Sequence, residues 1–238
     1  MSAAARPLTI AVGENERVSG LLQVPADPRA CYVLAHGAGA GMTHAFMTNV
    51  ASELAAQGVA TLRFQFPYME RGERRTDPPK VAHLAVRAAV AEASRRLPEL
   101  PLFAGGRSFG GRMGSQAQAV APLPGVRGLV FLGFPLHPAG KPSTERAAHL
   151  DEVRIPMLFL QGTQDKLAEL PLLQSVVARL GPRATLHLFD EADHSFHVPA
   201  HTGRKDADIR AAMVVATRKW IDSTMRATTE PATPGVMQ

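Results

Sequence analysis

The sequence predicts an α/β protein, with about eight strands in a mostly parallel sheet and helices on both faces. Three observations carry this. From residue 30 onward, short apolar runs alternate with stretches of helical periodicity. Runs such as ACYVLAHG and IPMLFLQG are apolar almost throughout, as in strands buried on both faces. No linker rich in Pro, Gly or Ser and no internal repeat interrupts the alternation, so one domain over 1–227 is expected, followed by a disordered tail at 228–238.

Each element follows from a local pattern. PLTIAVG (7–13) and VSGLLQV (18–24), joined by the polar GENER, read as an antiparallel hairpin. ACYVLAHG (30–37) is a buried strand ended by Gly, and THAFMTNVASELAAQG (43–58) is a helix with Phe46, Val50, Leu54 and Ala55 on its apolar side. VATLRFQFP (59–67) is a strand, and YMERGERRTDPP a polar loop. The helix at 79–98 has Pro79 in its first turn and places Val81, Leu84, Ala85 and Ala88 at i, i+3, i+4 and i+7. PLFAGG (101–106) is a short strand that leads into a glycine-rich turn and a helix. VRGLVFLGFP (126–135) is a strand, 136–153 a longer excursion with a short helix, and IPMLFLQG (155–162) another buried strand. LAELPLLQSVVARLG (167–181) is a helix, and ATLHLF opens the last strand within 184–196. The final amphipathic helix, 206–227, carries Ile209, Ala212, Met213, Ala216 and Trp220 on one stripe.

Composition narrows the function classes. The 238 residues are 45% hydrophobic and 20% charged, ordinary for a soluble globular protein. The one cysteine, Cys31, excludes a disulfide within the chain and a zinc–thiolate cluster, and its apolar surroundings read as a buried small hydrophobe. The net charge of +5 invites a nucleic-acid reading, but the basic residues are dispersed and no aromatics interleave with them. A solvated arginine-rich surface and no nucleic-acid partner are expected. No window approaches the ~18 apolar residues of a membrane span. The first residues lack the ~7–15-residue apolar core of a signal peptide. A cytoplasmic protein without a membrane partner is therefore the expectation; nothing in the sequence sets its oligomeric state.

In parallel sheets of this kind, ligands bind beyond the carboxyl ends of the strands, so functional residues should follow strands directly. The glycine-rich stretch AGGRSFGGRMGSQAQ (104–118) does so. A phosphate-binding loop would need Lys and Ser or Thr where Arg112 and Met113 stand, and the dinucleotide pattern fails as well. The alternative, G-x-S-x-G, is met by Gly106-Arg107-Ser108-Phe109-Gly110 between a strand and a helix. The strained turn presents Ser108 as a nucleophile. Glycines two residues away on each side leave room for the chain to reverse.

A serine needs a base and a group to orient that base. Asp165 lies just past the strand IPMLFLQG, and His194 in the loop after ATLHLF, giving the chain order serine, acid, histidine. Asp165 also suits a helix N-cap, and His197 is the rival base. His194, His197 and His201 lack the carboxylate support of a metal site, and neither a metal nor a cofactor is expected. An oxyanion hole would use the backbone N–H groups of Phe109 and Ala38, the latter in the glycine-rich loop HGAGAGM (36–42), with His36 holding the loop in place. Gly37, Tyr68, Met69 and Arg107 are candidate pocket residues. The segment around Tyr68 reads equally well as packing; Arg107, beside the nucleophile, reads first as half of a structural ion pair and second as a group that attracts an anionic substrate.

Together, LAHGAGAGM, GGRSFGGRM, GTQDKL and ADHSF resemble the α/β-hydrolase superfamily over nearly the whole chain. AHGAGAGM, RFQFPYMERG and GGRSFGGRM are similar to its small, lidless, dienelactone-hydrolase-like branch, and to the hydrolase-like domain of an NSL histone-acetyltransferase complex subunit. Dienelactone hydrolases typically carry Cys as nucleophile, where this chain has Ser108. The resemblance implies an α/β-hydrolase fold without a large lid and a serine hydrolase acting on a small-molecule ester or thioester. The contrasting expectation is a catalytically silent scaffold that has kept the motifs.

Overall fold

The computed structural model describes residues 3–229. Eight strands form one sheet in the order β1-β2-β4-β3-β5-β6-β7-β8. Strands β1 (Arg6–Val12) and β2 (Glu16–Gln23) pair antiparallel as the hairpin, and β2 docks antiparallel on β4 (Val59–Phe64). All other pairings are parallel, through β3 (Ala30–Ala35), β5 (Leu102–Arg107), β6 (Val126–Leu132), β7 (Met157–Gly162) and β8 (Ala184–Phe189).

The strands read as unbroken apolar runs because successive side chains point to opposite faces and both faces are covered. In β3, Cys31, Val33 and Ala35 join one core cluster, and Ala30, Tyr32 and Leu34 the other. The first cluster is closed by α3 (Pro79–Arg96), α4 (Phe109–Val120) and α5 (Leu170–Leu180), and the second by α1 (Ala45–Ala56) and α6 (Asp206–Thr229). Burial pushes the Cys31 thiol up to about 12, so it behaves as a core hydrophobe.

Four local readings change. The loop after β4 opens with a one-turn helix, α2 (Pro67–Glu70). Pro67 supplies the fixed φ of a first helical position, and the Tyr68 N–H, which has no intrahelical acceptor, donates to Asp77 Oδ2 at 2.7 Å. The short helix in the excursion is a 3₁₀ segment, Glu145–Glu152. Helix α5 begins at Leu170, three residues later than its pattern suggests, because the Asp165 carboxylate takes the Leu167 N–H at 2.7 Å and holds that stretch as a turn. Helix α6 runs to Thr229, past the expected boundary at 227, and the rest of the expected tail lies outside the described residues. Among the described residues, no inserted layer covers the carboxyl ends of the strands, so the sheet carries no lid domain.

Candidate active site

Strand β4 packs on one side of β3 and β5 on the other, so the connections leaving β3 and β5 diverge and open a crevice at their carboxyl ends. Ser108 stands there, between β5 and α4, with φ 48° and ψ −112°. A side chain in this region costs on the order of 1–3 kcal/mol and persists only where its surroundings impose it. The surroundings are backbone. A Cβ on Gly106 would lie 2.1 Å from the Ala35 carbonyl oxygen, and one on Gly110 2.6 Å from that of His36. The two motif glycines let β5 and α4 close onto the end of β3, and that closure sets the turn at Ser108.

The loops after β7 and β8 bring two side chains to this serine. His194 Nε2 is 2.8 Å from Ser108 Oγ, and His194 Nδ1 is 2.7 Å from Asp165 Oδ2. A carboxylate only accepts, so Nδ1 carries the hydrogen and Nε2 is left to accept from the serine hydroxyl. The Asp165 side chain is fully buried, whereas that of His194 is 22% exposed. Burial of this carboxylate is tolerated because it has three donors: His194, the Leu167 N–H and the Gln161 amide. Gln161 is buried and also accepts from the Phe134 N–H at 2.9 Å, which fixes its orientation. Sequence reasoning missed this residue, although a lone amide in the apolar strand MLFLQG was its signal. The rival base, His197, faces away: its Nδ1 pairs with Asp206 Oδ2 at 3.0 Å, and that contact raises its pKa.

The loop after β3 is held by the end of β4 and the segment after it. Arg63 donates to the Met42 carbonyl at 2.9 Å, Gln65 Oε1 accepts from the Met42 N–H at 2.9 Å, and the Tyr68 hydroxyl donates to the Ala38 carbonyl at 2.9 Å. His36 spans the two segments. Its Nε2 accepts from the Phe66 N–H at 3.0 Å, so its Nδ1 donates, and that donor meets the Gly37 carbonyl at 2.7 Å. The Gly37 carbonyl and the Ala38 N–H belong to one rigid peptide plane, so His36 orients the Ala38 N–H. Phe109 is the first residue of α4, and its N–H has no intrahelical acceptor.

Burial lowers the His36 pKa from 6.5 to about 4. Between these values the unfolded chain binds a proton that the folded chain refuses, so stability falls as pH falls through this window and levels off below it. For His36 alone the expected loss is about 3 kcal/mol at 1.36 kcal/mol per pKa unit. His149, also lowered to about 4 by burial first and then by Arg112, adds in the same direction. Urea midpoints at pH 7 and pH 4.5 check this: the midpoint should drop, and His36→Asn should flatten the drop.

The crevice is a cleft of about 520 Å³. Gly37, Ala38, Arg107, Ser108 and His194 line it, together with Phe46. Tyr68 and Met69 do not. Tyr68 is fully buried against Phe66 and Phe109, and Met69 packs on the core, so the packing reading of this segment holds and the pocket reading is corrected. The ion-pair reading of Arg107 is corrected too. Among the described residues, no carboxylate lies within ion-pair distance; its guanidinium donates to Ser195 Oγ at 3.2 Å and rests 4.6 Å from the Phe46 ring centroid. Arg112 lies outside the cleft, 6.0 Å from the Phe109 ring centroid. Among the described residues, no three His, Cys, Asp or Glu side chains are grouped to hold a metal.

Known proteins share this architecture. A dienelactone hydrolase from Anabaena variabilis superposes with a TM-score of 0.74 at 19% identity, over 94% of this chain and 99% of that one. A serine hydrolase without a lid from Xanthomonas campestris gives 0.70 at 22% identity, over 97% of each chain. The esterase domain of a Rhodothermus marinus protein gives 0.69 at 19% identity, over 91% and 97%. At such identities the likeness establishes the fold. The family model described as an alpha/beta hydrolase domain matches residues 28–222, which takes in the turn at Ser108 and the strands and loops that meet it. On that match and this fold, the chain belongs to the α/β hydrolase family.

Proposed function

We propose that the protein is a serine hydrolase that cleaves an ester or thioester of a small to medium substrate through an acyl-enzyme on Ser108. The observation that carries this is the unbroken hydrogen-bond chain Asp165–His194–Ser108, at 2.7 and 2.8 Å, in a cleft open to solvent. In this reading, Ser108 Oγ attacks the acyl carbon while its proton passes to His194 Nε2. Asp165 keeps His194 in the attacking tautomer and stabilises the imidazolium. The carbonyl electrons move onto oxygen, and the N–H groups of Phe109 and Ala38 bind the oxyanion. Each such donor contributes about 3 kcal/mol in enzymes where one has been removed. When the carbonyl re-forms, the bond to the leaving alcohol or thiol breaks and His194 protonates it. Water then attacks the acyl-enzyme by the same route, releasing the acid and restoring Ser108.

The open cleft favours short acyl groups over long lipids, and the chemistry calls for neither metal nor cofactor. No helix among the described residues is long and apolar enough to cross a membrane, which fits a substrate taken from solution. A cytoplasmic location and the absence of a nucleic-acid partner belong to the same proposal. The test is turnover of a series of 4-nitrophenyl esters and acyl thioesters from two to ten carbons by the purified protein. Turnover should be highest for the short members. No turnover of any member by the folded protein would remove the catalytic reading in favour of a silent scaffold.

A further inference from the structure

The cleft holds one fixed charge beside the serine. Arg107 is the residue before Ser108, and it reaches across to the residue after His194, donating to Ser195 Oγ at 3.2 Å. Its guanidinium lies 4.6 Å from the Phe46 ring centroid. Contact with a ring supplies no counter-ion to a guanidinium. One N–H goes to Ser195, and among the described residues no carboxylate pairs with the rest. The nearest acid acting on it, Asp193, is engaged in its own loop, where Oδ1 accepts the Ser195 and His197 N–H groups at 2.7 and 3.0 Å. No Asp or Glu lines the cleft among the described residues.

Partial burial of the guanidinium lowers the Arg107 pKa, and Asp193, which offsets this at a distance, makes no ion pair with it. An anion entering the cleft would supply that pair. A planar guanidinium matches a carboxylate through two parallel N–H···O bonds. Taking the serine-hydrolase reading as given, we propose that Arg107 makes this cleft selective for esters that carry a free carboxylate within a few bonds of the scissile carbonyl. Arg107 is then a specificity residue. It binds the remote anion while Ser108 and His194 act on the ester, and the Phe46 ring fixes where that anion sits.

The experiment uses two matched pairs. On the acyl side, 4-nitrophenyl hydrogen adipate is compared with 4-nitrophenyl hexanoate. On the alcohol side, 4-acetoxybenzoate is compared with its methyl ester. In at least one pair, kcat/KM should favour the anionic member by about tenfold or more, as expected of a charge-assisted contact. Arg107→Gln should lower that ratio by about tenfold, and Arg107→Lys, which keeps the charge but loses the fork, should fall between. Should the variants not fold, wild type alone decides, because its preference must weaken as salt rises from 0.05 to 0.5 M. Hydrolysis of the neutral esters with no anionic preference in either pair overturns the Arg107 proposal and leaves the esterase reading standing. No hydrolysis of any of the four overturns both.

Discussion

If the protein is the serine hydrolase proposed, His194→Ala should lower kcat for ester hydrolysis by on the order of 10⁴-fold or more, and Ser108→Ala should do the same. The reason is geometric. His194 Nε2 is the base within reach of the Ser108 hydroxyl, at 2.8 Å, and a neutral serine is a weak nucleophile without one. The two residues act as a unit, so the double variant should be hardly worse than either single one. His197→Ala is the control. Its ring pairs with Asp206 at the start of α6, and its removal should change kcat by less than about threefold. Steady-state kinetics on variants with matched circular dichroism decide this. A large loss in His197→Ala with activity kept in His194→Ala would reverse the assignment of the base.

Gly106→Ala should be among the most damaging small substitutions in the described residues. The added methyl would sit 2.1 Å from the Ala35 carbonyl oxygen and 2.7 Å from the Ala35 nitrogen, both of them main-chain atoms of the central strand β3. The neighbours cannot rotate away, and φ of +145° adds strain for any residue with a Cβ. A loss of about 4 kcal/mol or more is expected, enough to unfold a domain of ordinary stability. Gly72→Ala separates the two causes. It has φ of +73° and no atom within 4 Å of an added Cβ, so it carries the backbone cost alone, about 1 kcal/mol. Urea midpoints of the two variants check the contrast; equal midpoints would mean that β3 and β5 pack less closely than described.

What the sequence reveals and what it hides divide along contact range. The parallel strands are legible because burial on both faces leaves β3 and β7 almost wholly apolar. Ser108, Asp165 and His194 are legible because each follows its own strand, and the sheet brings strand ends together without further information from the sequence. The pinning of the glycine-rich loop after β3 is not. Arg63, Gln65, Phe66 and Tyr68 hold residues some 20 to 30 positions earlier, and nothing local marks them as partners. Tyr68 and Met69, which follow a strand end as catalytic residues do, thus invite a pocket reading when they are scaffold. Arg107 misleads for a related reason. A sequence shows a cation but not the Phe46 ring and Ser195 hydroxyl that come to meet it from opposite ends of the chain.

The central claim is that Ser108 is an activated nucleophile, and covalent labelling reads this without knowledge of the substrate. Folded wild-type protein treated with a fluorophosphonate should gain the mass of one reagent molecule less HF, on Ser108. Ser108→Ala should gain none, and His194→Ala should label far more slowly. A folded wild-type protein that stays unmodified, or that is modified equally in Ser108→Ala, would contradict the account.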